Sequence, residues 1–194
     1  MSTKRILIIN GHPDSQSFCR AITGAYERGA KSAGHEVNRL HIRALKFDPI
    51  LHDGYRVIQA LEPDLARAQE LIKWADHLVF VFPTWWSGLP ALTKGFVDRV
   101  FLPGFGFHYR KDSPLWDKLL KGKSARLFIT MDAPVLFNWL IYRSRAHVAF
   151  IKGTLGFCGI KPIRRDIFDR VRFSTPAQRA KWLELAEKRG VRGE

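Results

Sequence analysis

Five short apolar or alternating segments recur along this chain, each parted from the next by a stretch with helical spacing, and that alternation leaves few folds open. Ile6–Ile9 and Leu78–Phe82 are uninterrupted apolar runs, too short for helices, as strands covered on both faces require. Glu36–Ile42 and Pro162–Phe168 alternate polar with apolar residues, and Arg126–Thr130 supplies a further strand. Pro162 makes the last an edge strand, because proline cannot donate within a central ladder. Helices are predicted from Phe18 to a stop at Gly34, from Pro63 past Ile72, over Ala91–Phe101, over Phe137–Leu155, and from Thr175-Pro176 to about Arg189. The alternation predicts a doubly wound five-stranded parallel sheet with helices on both faces and right-handed crossovers. The expected strand order is 2-1-3-4-5. Residues 1–194 carry no internal repeat or low-complexity linker and read as one domain.

In that order ligands bind beyond the carboxyl ends of the strands, where the order reverses. Three unusual loops leave those ends. The first, Asn10–Phe18, places His12, Ser15 and Ser17 before a helix start, a candidate anion cradle whose donors would be Ser17, the amides of Phe18 and Cys19, and His12. It contains neither GxxxxGK[ST] nor GxGxxG, and a plain capped helix start is the competing reading. The second, Pro83-Thr84-Trp85-Trp86-Ser87, can lay a flat heteroaromatic ring against Trp86, or else bury its tryptophans as core or interface anchors. The third, Thr130-Met131-Asp132-Ala133-Pro134, either presents amides to an electron-accepting ring edge or is an ordinary strand exit.

Composition narrows the classes further. No apolar run approaches the roughly 20 residues needed to cross a bilayer, and the first strand begins too soon for a signal peptide to precede it. Cys19 and Cys158 form no CxxC pair, which fits a reducing cytoplasm. No residue is assigned to a metal. The net charge of +14 is uneven: residues 100–194 hold 19 of the 32 Lys and Arg but only 8 of the 18 Asp and Glu. A basic second half can attract phosphorylated cofactors, nucleic acid or an anionic membrane surface, or be a solvated face. Aromatics do not interleave with the cations in any recognisable module, so nucleic acid is not the expected partner. Peripheral membrane contact through the basic half is the alternative retained.

Gly11-His12-Pro13, Ser17-Phe18 and, above all, the run Phe82–Ala91 with Lys94–Phe101 resemble the flavodoxin-like NAD(P)H:quinone oxidoreductases, including the modulator-of-drug-activity type. The resemblance spans Lys4 to about Gly159. It implies a flavodoxin-like fold and a flavin: FMN first, because little chain follows the fifth strand to embrace an adenine, with FAD as the alternative. His12, Ser17, Phe18 and Cys19 would surround its phosphates. Pro83, Thr84, Trp85, Trp86 and Ser87 would line the isoalloxazine, with Thr130, Met131 and Asp132 at its N1/O2 edge. Phe107 and Tyr109 match aromatics that roof the substrate pocket, often from the partner of a homodimer, and Tyr142 lies in the same aromatic neighbourhood. Three departures stand out: Cys19 replaces an Asn, Asp132-Ala133 replaces Gly-Gly, and Asn138 and Ser144 fall at the spacings of the usual Tyr/His pair. No protein acid or base is therefore assigned.

The expected activity is two-electron, ping-pong reduction of a quinone or another flat small-molecule acceptor by NADPH or NADH, since one stacking surface would serve both substrates. An ancillary subunit docked on a membrane transporter is the alternative. A one-electron carrier fits less well, because the phosphate loop lacks the Thr/Ser-rich pattern of flavodoxins.

Overall fold

A computed structural model describes residues 2–194, apart from the side chains of Tyr142 and Ala146. In chain order the strands are β1 (Arg5–Asn10), β2 (Glu36–His41), β3 (His77–Pro83), β4 (Phe107–Tyr109), β5 (Trp116–Lys118), β6 (Ser124–Thr130) and β7 (Ile163–Phe168). The helices are α1 (Phe18–Ser32), α2 (Pro63–Trp74), α3 (Ala91–Val100), α4 (Val135–Tyr142), α5 (Arg145–Val148) and α6 (Pro176–Val191). Five strands form one parallel sheet, β2-β1-β3-β6-β7, which is the predicted order with the chain's extra strands counted.

Alternate residues of a strand point to opposite faces, so each central strand feeds two cores. Ile6, Ile8, Val79, Val81 and Phe128 meet Ile22, Tyr26 and Ala186 from α1 and α6. Leu7, Ile9, Leu78, Phe80 and Leu127 meet Leu65 and Ile72 of α2 and Phe96 and Val100 of α3. β3 is buried at every residue, as a strand covered on both faces must be. β7 is the edge, where Arg164 and Arg165 reach solvent.

Two expectations need correction. The single helix over Phe137–Leu155 is broken. Arg143 and Ser144 both take left-handed backbone, at φ 49° and 50°. Their amides close α4 by donating to Trp139 O and Asn138 O. The chain then resumes as α5 and a π-helical stretch, Ala149–Gly156. An apolar pattern on all sides of the segment concealed the break. The aromatic loop after α3 also holds structure, for β4 and β5 pair antiparallel as a ribbon outside the main sheet. Strands of three residues leave too little alternation to detect.

Parallel register aligns the strand ends. Asn10 lies beside Val81, and Pro83 beside Thr130. Backbone bonds carry the alignment past the strand ends, from Gly11 N to Val81 O (2.8 Å), Thr84 N to Thr130 O (2.7 Å) and Met131 N to Phe168 O (2.9 Å). The three loops therefore leave the sheet side by side.

Candidate functional site

The loop after β1 is folded by its own side chains. Asn10 Oδ1 accepts the His12 N–H (2.9 Å), His12 Nδ1 accepts the Asp14 N–H (2.9 Å), and Asp14 Oδ1 accepts the Gln16 N–H (2.8 Å). A backbone N–H can only donate, so Nδ1 of His12 is unprotonated and the ring proton sits on Nε2. Burial holds this imidazole below its ordinary pKa. Gly11 is required by close approach: a Cβ there would stand 2.5 Å from Thr93 Oγ1, whose hydroxyl donates to Gly11 O at 2.7 Å.

Ser17 occupies the N-cap position of α1 in extended backbone, yet its side chain makes no cap bond. Its Oγ is buried without a partner. Arg20 N donates to Ser17 O at 3.0 Å, but the preceding amides of Phe18 and Cys19 have no intrahelical acceptor, and Ser17 does not cap the helix with its side chain. Unpaired donors and a helix N-terminus thus converge beside the neutral His12, an arrangement that favours an anion.

The second loop is pinned twice. Beyond the Thr84 backbone bond, Thr84 Oγ1 and His147 Nε2 stand 2.8 Å apart. His147 is buried and its Nδ1 has no partner. Burial first, and then the Arg165 charge, push its pKa down to about 4. Trp85 and Gly88 exchange two backbone bonds around Trp86 and Ser87, which have φ of 48° and 55°. The Trp85 ring meets His12 edge-on, with centroids 5.6 Å apart.

In the third loop Thr130 Oγ1 lies 3.4 Å from Cys19 Sγ. Burial raises the Cys19 thiol to about 12, so it is no nucleophile near neutrality. Asp132 Oδ1 accepts the Arg172 N–H at 2.9 Å, which ties this carboxylate to the turn after β7.

These residues enclose a cavity of about 210 Å³. His12, Ser17, Phe18, Cys19, Pro83, Thr84, Trp85, Thr130, Met131 and Asp132 line it, joined by Asp14 and Val171. Trp86 stands fully exposed at the loop tip, outside the wall. Ser87 faces an adjoining cavity of about 330 Å³, with Asn138, Ser144 and His147. Phe107 is buried in the core against Phe157, with centroids 4.9 Å apart, while Tyr109 is exposed on the β4–β5 ribbon. The Tyr142 side chain lies outside the described residues. A larger cavity of about 480 Å³ lies under the ribbon. It has neither a helix N-terminus nor buried unpaired donors among the described residues, and those features single out the smaller slot.

Sequence reasoning gave no role to three contributors. Asp14 had a signal in its Asx turn to Gln16. Val171 and His147 had none, because each arrives from a distant part of the chain.

The flavodoxin-like fold family matches residues 4–189. The chain is 31% identical over 189 residues to an uncharacterized NAD(P)H oxidoreductase of Haemophilus influenzae, covering 94% of this chain and 92% of that one. It is 24% identical over 220 residues to NAD(P)H dehydrogenase (quinone) 1 of Rattus norvegicus, covering 97% and 77%. A crystal structure from Streptococcus mutans superposes with a TM-score of 0.82 at 30% identity, over 97% and 99% of the two chains. The FMN-dependent NADH-azoreductase of Bacillus anthracis, solved with FMN, shares the fold at a TM-score of 0.78 and 16% identity, over 98% and 99%. Oxidoreductase names among the relatives do not favour the transporter-subunit alternative. With the match running almost end to end over the loops just described, the chain belongs to the flavodoxin-like family of NAD(P)H:quinone oxidoreductases and is an oxidoreductase.

Proposed function

We propose that this protein is a flavin-dependent reductase that takes electrons from NADPH or NADH and passes them, two at a time and in ping-pong order, to quinones or other flat electrophiles. The observation that carries the reading is one cavity built by three strand-end loops, with a buried and unpartnered Ser17 Oγ at the start of α1. That orphaned hydroxyl, the uncapped α1 amides and the His12 Nε2–H fit a phosphate-ended tail. The volume of about 210 Å³ falls below the roughly 300–1,000 Å³ of a pocket that swallows a whole ligand. The slot therefore suits one phosphate and its polyol, with a planar ring held at the open side, which favours FMN over FAD.

When bound, the flavin supplies the hydride chemistry. The chain supplies position. Thr84, braced by neutral His147, fixes the loop that carries Trp85 and Trp86. Asp132, at the wall of the slot, has one carboxylate oxygen held by Arg172 N, a donor that offsets part of its charge. The acceptor is assigned to the adjoining cavity beside Ser87. A homodimer is part of the proposal, with exposed Tyr109 and its neighbour Tyr55 offering a face to a second copy.

The test is the visible spectrum of purified protein under anaerobic conditions. A yellow protein bleached by NADPH or NADH, and recoloured by a quinone, is expected. A colourless protein that binds no added FMN, or a yellow one that neither nicotinamide bleaches, overturns the reading.

A further inference from the structure

We propose that α4 is a membrane-docking helix, which seats the face beside the slot on an anionic lipid surface. The helix is Val-Leu-Phe-Asn-Trp-Leu-Ile-Tyr, and the large apolar side chains from Leu136 to Ile141 are exposed. Leu136 is 65% exposed, Trp139 59%, Leu140 57%, Ile141 61% and Phe137 48%. Among the described side chains of α4, only Asn138 is buried, and its Nδ2 reaches Met131 Sδ at 3.7 Å. At about 100° per residue, the five exposed apolar side chains cover roughly 200° of the helix circumference. Water is a poor solvent for such a surface, and a patch of this kind marks an interaction site.

The shape of the patch selects the partner. An amphipathic stripe suits one flat protein face, whereas a ridge that is apolar on three sides suits a medium that can flow around it. Eight residues span only about 12 Å, far short of a bilayer. Among the described residues no helix is long and apolar enough to cross a membrane, so α4 lies in the plane of the interface. Trp139 sits in the middle of it, and tryptophan favours the headgroup level.

Charge completes the match. Exposed Arg143 and Arg145 follow directly on α4. At its start, Val135 N donates to Asp169 Oδ2 (2.9 Å), which brings exposed Arg170 and Arg172 alongside. Arg172 covers the ring of Phe173, itself 74% exposed. Of the two acids nearby, Asp132 accepts from Arg172 N, while Asp169 accepts from Val135 N and also stands 3.7 Å from Arg170 Nε; four arginines against two carboxylates leave the collar net positive. An apolar ridge collared by four arginines is complementary to anionic phospholipid. The docking stands on α4 and its collar alone. Only its consequence, that the acceptor is a long-tailed quinone drawn from the bilayer, rests on the function proposed above.

Vesicle flotation tests the proposal, using the whole chain with phosphatidylcholine alone or mixed with phosphatidylglycerol. The protein should float with the anionic vesicles and stay behind with the neutral ones. The double variant Leu136→Asp/Leu140→Asp should bind at least ~10-fold more weakly, with an unchanged far-ultraviolet circular dichroism spectrum. Arg143→Glu/Arg170→Glu should lose the preference for anionic lipid. Wild type that floats with neither vesicle, or an aspartate variant that floats as well as wild type, overturns the docking. So does an aspartate variant whose only defect is dissociation of a dimer in sedimentation equilibrium, which would give α4 to a second copy. Flotation that depends on α4 in a protein without flavin upholds the docking and overturns only the redox reading.

Discussion

Ser17 and the pair Trp86-Ser87 show how single residues are placed for something other than stability. A serine at an N-cap ordinarily contributes about 0.5–2 kcal/mol through its cap bond. Ser17 makes none. Ser17→Ala should therefore change the urea stability of the flavin-free protein by less than ~0.5 kcal/mol while weakening FMN binding about tenfold. A full cap-sized loss of stability with unchanged FMN affinity would restore the simple helix-start reading. Trp86 and Ser87 fill the two central positions of a tight turn that prefers Asn-Gly, both at positive φ. Side chains there cost on the order of 1 kcal/mol or more each, and the exposed Trp86 ring recovers nothing from the fold. Trp86→Asn/Ser87→Gly should raise stability by about 1–2 kcal/mol and lower FMN affinity. Equal or lower stability in denaturant titration would remove the strain argument. The paired tryptophans were legible as a special loop, but their backbone was not, because turn signals depend on Gly, Asn and Pro and this turn uses none of them at its centre.

At the scale of elements, the packing of α1 on α6 depends on two glycines facing in opposite directions. A Cβ on Gly29 would fall 2.0 Å from Glu187 O, and one on Gly190 would fall 2.1 Å from Tyr26 O. Each helix thus lies against the other's backbone. Helix propensity alone favours Ala over Gly by about 1 kcal/mol. Here the clash wins, so Gly29→Ala or Gly190→Ala should lose about 1–3 kcal/mol, as overpacked cores do. Gly24→Ala on the same helix meets nothing nearer than Arg28 Nη1 at 3.9 Å and should gain up to about 1 kcal/mol. Chemical denaturation of the three variants decides it, since a shared sign would mean that propensity, not contact, governs. The contrast also marks how far the sequence could be read. Gly29 lay visibly in the helical pattern, but its partner α6 lies at the far end of the chain, and nothing local names it. Strand order was legible, because alternation and crossover handedness act on whole elements. The slot was legible at its strand-end loops for the same reason. His147 and Val171 were not, since only the folded chain brings them to Thr84 and Met131.

Over the whole molecule, two buried imidazoles make stability depend on pH above the range where carboxylates matter. His77 begins β3 at one end of the sheet, and His147 braces Thr84 near the other. Burial is the main cause in both, holding His77 at about 3 and His147 at about 4 against an ordinary 6.5; Lys4 and Arg126 add to it for His77, and Arg165 for His147. Between those folded values and 6.5, the unfolded chain binds protons that the folded chain refuses. Stability is therefore fully present above about pH 6.5 and is lost as pH falls toward the folded pKa values, at about 1.4 kcal/mol per pH unit for each imidazole. From about pH 7 to about pH 5 each should cost about 2 kcal/mol. Carboxylates enter lower. Asp76, held to about 2 chiefly by hydrogen bonds from the Arg5 side chain and backbone, keeps its contribution until pH falls below about 4. Protonating them adds to a net charge already at +14, so self-repulsion deepens the acid limb. His147→Gln carries no charge at any pH and can still reach Thr84. Urea titrations at the two pH values should show the variant losing about 2 kcal/mol less than wild type, whereas parallel losses would mean that His147 is not buried as a neutral ring.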